Sequence, residues 1–428
     1  MPSLSAHPGA ADLLARTRTL VFLCAAALCG LAFLGGPARW PACPRTADGR
    51  ALPYGARIAP QGGFIVQDFS VHRNYLRQIR DHAADRPYRL EDQEGMFRRW
   101  LPLAATGEPH AYSPAALLLS LPWLSLPPRA AFTAFTLFNI AAALLLLGWG
   151  ILPRVKNLAQ AAAVLAAFAG QSFLTTIMIG QSSVLTTCGL ACGWFLLRWR
   201  QSVWRGLGAG AVLWALAAKP SAALILLALV LGAQAWLALG TAVILTILSW
   251  LVLAGHYGGW ETGVRDYLSL LGRYHAAGMT PFMAGGMLPQ NCTNLNSFLM
   301  RLAPGLGGRA FFLSQVLFAG SLAGVTLLRW AGRISLSGQF QALLLAFLLF
   351  CPHLGFTEDW AICLFVAEGA FFREGAAPWL KAALVAAAVY LHGGWVFPAK
   401  LILSAWWLAE RPWRIWLFGN MGSQEAQA

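Results

Sequence analysis

Residues 131–152, 158–178, 241–255 and 340–350 run on without one ionisable side chain. A membrane-spanning helix needs about 20 predominantly apolar residues, so runs of this kind dictate the solvent before they dictate a fold. The whole chain of 428 residues follows suit, with 58% hydrophobic and 11% charged residues; a soluble domain carries roughly 25% charged residues. There is room for roughly nine to twelve spans. The runs are continuous and do not alternate at period two, which excludes a transmembrane barrel. The expectation is an all-α polytopic membrane protein, a multi-span helical bundle forming a single integral membrane domain over 1–428.

Lys and Arg total 31 against 17 Asp and Glu. The basic residues gather at the ends of apolar runs, where they meet anionic headgroups and help set orientation. Nucleic acid is not an expected partner, because it needs a basic, water-facing surface that most of this chain lacks. Of eight cysteines, Cys24, Cys29, Cys188, Cys192, Cys351 and Cys363 lie in or beside apolar runs and read as small hydrophobes. Cys43 and Cys292 sit in polar segments, so a disulfide between them stays open. No His, Cys, Asp or Glu spacing matches a metal site, and no cofactor is expected.

Arg16 and Arg18 precede an apolar run with no Ala-x-Ala exit, which favours a first transmembrane helix over a cleaved signal. Residues 37–110 then form the longest polar segment, read as the first extracytoplasmic loop; eight of the 17 acidic residues fall there. Within it Phe69, His72, Leu76 and Ile79 recur at helical spacing, and Arg73, Arg77 and Arg80 occupy other faces. That pattern predicts a short amphipathic helix over 68–81 at the interface. A second polar loop spans 256–309, and 422–428 is a polar tail. The basic stretches 154–156 and 198–205 both belong in the cytoplasm by the positive-inside tendency. Two apolar blocks nevertheless lie between 110 and 154, where an odd number of crossings is needed. Either 112–126 is re-entrant or one basic stretch departs from the tendency.

A few polar residues stand where apolar surroundings make them costly. Asp68 reads either as the N-cap of the helix that follows it or as a carboxylate of raised basicity. Lys219, before Pro220, interrupts an apolar run. It is either a lysine reaching to the surface from a helix end or a cation at membrane depth that suits a lipid-linked phosphate. Gln181, after Gly180, marks a turn or a sugar-hydroxyl contact. His353, Glu358 and Asp359 cluster at the mouth of another apolar run, and a histidine there suits a phosphate leaving group. Tyr112, two residues before Pro114, is an aromatic-belt anchor or a sugar-stacking ring.

In order along the chain stand Asp68-Phe, Tyr112-Ser-Pro, Gly180-Gln-Ser-Ser-Val, Ala217-Ala-Lys-Pro, Asn296-Ser and a late Cys-Pro-His353. This succession resembles glycosyltransferase family 87, a group of bacterial membrane mannosyltransferases with the GT-C architecture, over about 62–360. The resemblance implies a metal-independent or weakly metal-dependent transferase in the bacterial inner membrane, with its active site on the extracytoplasmic side. Its partners would be a polyprenyl-phosphate sugar donor, commonly of mannose, a glycolipid or glycan acceptor, and the bilayer itself. The family's catalytic carboxylate maps onto Asp68 and its late histidine onto His353, with Tyr112, Gln181, Lys219 and Asn296 as substrate-binding positions. Two departures stand out: Ser183 replaces the usual Asn after the Gln, and Cys-Pro-His replaces the usual late motif. A multi-span transporter or lipid-linked sugar flippase is the rival reading, because a helix broken at a buried cation serves transport as well.

Overall fold

A backbone amide in lipid finds no water, so its hydrogen bond must come from its own segment, which a helix supplies at every residue. The computed structural model describes residues 8–40, 44–46, 48–58, 64–66, 68–82, 85–102, 113–198, 202–276, 293–352, 356–368, 377–390 and 396–410. These are helical apart from a small antiparallel hairpin, β1 (Ala56–Ile58) and β2 (Phe64–Val66), an isolated bridge between Arg45 and Ala51, and connecting turns. Cys43 and Cys292 lie outside the described residues.

The helices are, in order, α1 (Pro8–Arg39), α2 (Asp68–Asp81), α3 (Leu90–Trp100), α4 (Pro114–Ser120), α5 (Pro128–Leu145), α6 (Leu158–Ala169) and α7 (Gln171–Ile179). Then come α8 (Ser183–Arg198), α9 (Val203–Leu216), α10 (Pro220–Gly232), α11 (Trp236–Val252), α12 (Ala254–Tyr257) and α13 (Trp260–Ala276). The last are α14 (Leu295–Leu302), α15 (Gly307–Trp330), α16 (Leu336–Phe350), α17 (Ile362–Ala367), α18 (Pro378–Tyr390) and α19 (Val396–Ala409). Among the described residues, Ala11–Gly35, Pro128–Arg154, Leu158–Ile179 and Arg309–Trp330 are each long and apolar enough to cross a membrane, and shorter apolar helices complete the set. Leu20, Leu23, Leu31 and Leu34 on α1, Ile244, Ile247 and Leu251 on α11, and Phe312 and Val316 on α15 all point outward and exposed. Such a belt is costly in water and natural in lipid. The protein is an all-helical, multi-pass membrane protein.

Long-range hydrogen bonds define the two ends of the bundle. At one end Arg18 Nη2 donates to the Val155 carbonyl at 2.6 Å; at the other, Trp40 Nε1 donates to the Met178 carbonyl at 2.9 Å. The helix α8 runs between the ends, about 24 Å at ~1.5 Å per residue. From Arg198 the chain returns through α9 to Lys219, leaves again in α10, and comes back along α16 to Cys351. A 3-10 helix (Phe356–Ala361) and α17 then lead away to Glu368.

Both basic stretches converge on that last residue. Arg154 Nε and Arg198 Nη1 lie 3.3 and 3.5 Å from the two Glu368 carboxylate oxygens, and Gln341 Nε2 donates to the Glu368 carbonyl at 2.8 Å. Arg154 and Arg198 therefore share one end of the bundle. Of the block 112–126, the described residues 113–126 hold α4, of 7 residues, and a 3-10 turn (Leu121–Leu124), short of the about 20 residues a crossing needs. Arg73 on α2 donates to the carbonyls of Trp123 at 3.2 Å and Leu126 at 2.5 Å, holding the start of α5 beside the loop helix. Both α4 and the turn after it pack against α2, and a single helix, α5, separates them from Arg154.

The helix α2 covers the residues its periodicity predicts. Phe69, Val71, Tyr75, Leu76 and Ile79 are buried, whereas Arg77 and Arg80 face outward. Phe69 stacks on Phe135 of α5 with ring centroids 4.7 Å apart. This apolar seam clamps α2 across the end of the bundle opposite Glu368.

Candidate active site

Under α2 the chain makes a tight turn that only glycine suits. Gly180 ends α7 with φ +70°, the left-handed region that L side chains rarely adopt. A Cβ there would also lie 2.8 Å from the Phe132 ring and 2.9 Å from the Phe69 Cβ. The glycine thus lets α2 settle directly on the turn that presents Gln181 and, two residues on, Ser183 at the start of α8.

Lys219 arrives at the same place from the other side of the sequence. The helix α9 stops because Pro220 cannot continue it and is well placed in the first turn of α10; Lys219 caps the break with φ −127° and ψ 86°. Its ammonium pairs with the Glu358 carboxylate, carried by the 3-10 helix Phe356–Ala361. The side chain is not one that reaches away to the surface. It is 17% exposed, against 6% for Glu358. Ser183 Oγ lies 3.0 Å from the same Glu358 oxygen and 2.8 Å from Gln181 Oε1, so its one proton serves either acceptor in turn.

His72 completes the group from above. It is partly buried on α2, and its pKa is pushed from 6.5 down to about 4, first by burial and then by the Lys219 charge. The imidazole is therefore neutral at pH 7. Asp68 is the first residue of α2, one helical turn before His72; positions four apart share a helix face. The placement of the Asp68 side chain lies outside what the structure describes, as do Tyr112 and His353 altogether.

A second ion pair adjoins the first. Asp359 pairs with Lys400 of α19, their side chains 3% and 2% exposed. Thr293 Oγ1 donates to Asp359 at 2.9 Å, and Lys400 Nζ donates to the Thr293 carbonyl at 3.0 Å. Next to it Asn294 caps α14, accepting from the Ser297 amide at 3.0 Å and donating to the Cys351 carbonyl at 2.6 Å. The Trp360 amide donates to Ser172 Oγ at 3.0 Å, which anchors the 3-10 helix on α7. Asn296 is fully buried on α14.

The structure thus brings together Gln181, Lys219 and Glu358, with Ser183 and His72 beside them. Sequence reasoning named Ser183 only as a departure and treated His72 as a packing position. Lys400 and Thr293 it missed, although Lys400 stands in an apolar run by the same logic that picked out Lys219. Among the described residues no three His, Cys, Asp or Glu side chains gather as a metal would require.

Chemically the arrangement offers a partly accessible cation held by one carboxylate, a neutral imidazole, a hydroxyl and an amide, all walled by apolar helices. A cation beside neutral hydrogen-bonding groups suits an anion next to a neutral polyol. A family model described as Glycosyltransferase family 87 matches residues 110–352, more than half of the chain. Gln181, Lys219 and Asn296 fall inside the matched stretch; Asp68, His72, His353 and Glu358 fall outside it. Comparison with curated proteins and with solved structures produced no match.

Proposed function

Because the chain belongs to glycosyltransferase family 87, we propose that it transfers a hexose, mannose foremost, from a polyprenyl-phosphate donor to a lipid or glycan acceptor. The reading puts the donor site beneath α2 on the extracytoplasmic side of a bacterial inner membrane, with the polyprenyl tail lying in lipid against the outward apolar helices. The observation that carries it is the Lys219–Glu358 pair with Gln181 and Ser183 at its side, roofed by the helix that begins at Asp68.

In this mechanism Asp68 takes the proton of an acceptor hydroxyl as its oxygen attacks the anomeric carbon from the face opposite the phosphate. The bond from that carbon to the phosphate oxygen breaks, and the electron pair leaves with the lipid phosphate. One displacement inverts the configuration. The departing phosphate gains negative charge, which Lys219 and His353 stabilise. Gln181 and Asn296 hydrogen-bond sugar hydroxyls, and the Tyr112 ring stacks on the sugar.

A general base is worth about 10²–10⁴ in rate. Purified full-length protein given radiolabelled polyprenyl-phosphate mannose and membrane glycolipids should yield a labelled glycolipid, and Asp68→Asn should lower kcat by about that factor while the protein stays folded. Full activity in Asp68→Asn would falsify the role of the carboxylate. Label that crosses vesicle membranes without becoming covalently attached would replace the transferase with a transporter.

A further inference from the structure

The phosphate-binding cation of the proposed reaction is not idle in the resting protein. Lys219 is held by Glu358 through Oε1, an anionic oxygen that presents to the ammonium the same chemistry a phosphate oxygen would. The neighbouring pair shows what a purely structural arrangement looks like here, with Lys400 and Asp359 sealed from solvent and joined by Thr293 on both sides. Lys219 differs in that its side chain is several times more exposed than that of Lys400.

The geometry points to Glu358 as a resident stand-in for the donor's phosphate, exchanging its hold on Lys219 with the lipid phosphate on each turnover. This rests on the transferase reading above. Two features favour exchange over a fixed bridge. Glu358 has a second partner in Ser183 Oγ at 3.0 Å, so it is not stranded when the ammonium turns away. And the pair joins segments 139 residues apart through their side chains alone, so the ammonium can turn without unwinding either helix.

The charge balance explains why such a competitor would be useful. A phosphodiester donor carries a single negative charge, whereas the monoester it leaves behind carries about −1.5 to −2 at neutral pH. An unopposed lysine would therefore hold the product more tightly than the substrate. A tethered carboxylate competes at high effective concentration for the same ammonium, lowering affinity for both and restoring release. Glu358 is a positioning residue in this scheme: it acts on the phosphate through Lys219.

The test uses full-length protein in detergent and farnesyl phosphate as the soluble probe. Glu358→Gln should bind the probe about tenfold more tightly, equivalent to ~1.4 kcal/mol, and should show a lowered KM together with a lowered kcat as release slows. Lys219→Gln should abolish the binding in either background. A merely structural Glu358 would give unchanged or weaker probe binding with a raised KM, and that result overturns the exchange. Should Glu358→Gln fail to fold, Ser183→Ala removes the second partner that receives the carboxylate when Lys219 turns away, and should weaken binding about threefold; equal or tighter binding there overturns the exchange. Wild-type protein that transfers sugar yet ignores farnesyl phosphate removes the exchange alone. Protein that does neither removes the transferase reading with it.

Discussion

Two lysine–carboxylate pairs draw their carboxylates from consecutive residues of one 3-10 helix, and they are exposed to different degrees. Asp359 and Lys400 are closed off and bonded by Thr293, whereas Lys219 is partly exposed and Glu358 turns also to the Ser183 hydroxyl. Desolvating an ion pair costs several kcal/mol per ion, and attraction between the partners returns it only when both are fully bonded. The sealed pair therefore belongs to the folding energy and to the docking of α19. The open pair is the one that the proposed exchange engages. Buried charge in a membrane bundle is thus one signal with two meanings, and exposure separates them.

The largest effect should come from breaking the sealed pair. Lys400→Ala strands a buried carboxylate and should cost about 3–5 kcal/mol, read as a lower thermal unfolding midpoint and poor recovery of folded protein in detergent. Lys219→Ala leaves a carboxylate that water and Ser183 can still serve, so its cost should be smaller, about 1–3 kcal/mol. Equal losses in the two variants would erase the distinction.

The two hydroxyls offer a gentler version of the same comparison. Thr293→Val preserves shape but removes the donor that faces Asp359 in a closed site. A hydrogen bond to a charged group contributes about 1.5–3 kcal/mol, and that much destabilisation is expected. Ser183→Ala removes a donor that already divides itself between Glu358 and Gln181, and should cost about 0.5–1.5 kcal/mol. Unfolding midpoints of the two proteins decide it, and a reversed order would mean that the Glu358 side is the better sealed.

How much of this was legible beforehand follows from the range of each interaction. Local patterns showed clearly. The spacing of Phe69, Leu76 and Ile79 located α2, Lys219–Pro220 located the helix break, and the apolar runs identified the solvent. The partner of Lys219 did not show, because Glu358 lies 139 residues away and no periodicity links them. Lys400 was passed over within its apolar run, since a lone lysine there does not name its counter-ion. The block 112–126 had the composition of a span, but Pro114 and Pro122 shorten its helix, and Arg73, from a distant segment, satisfies the carbonyls at its end. Its packing against α2 was thus decided by a tertiary contact.

The smallest expected effect is also the most local, and it concerns whether Lys219 truly stands beneath α2. Burial first, and the Lys219 charge second, hold His72 at a pKa of about 4 against 6.5 in an ordinary setting. A histidine depressed in this way binds its proton more readily in the unfolded chain. Its contribution to stability is therefore complete above pH 6.5, declines as the pH falls towards 4, and changes no further below that. Lys219→Gln removes the second cause but not the first, so the His72 pKa should rise part of the way towards 6.5 and the window should narrow from its acid side. NMR titration of ring-labelled histidine, with His72→Gln to assign the signal, measures this directly. Thr293→Val, on the far pair, should leave that titration where it is, because neither Thr293 nor Asp359 is among the causes of the shift. An unmoved His72 signal in Lys219→Gln would separate the loop helix from the cation.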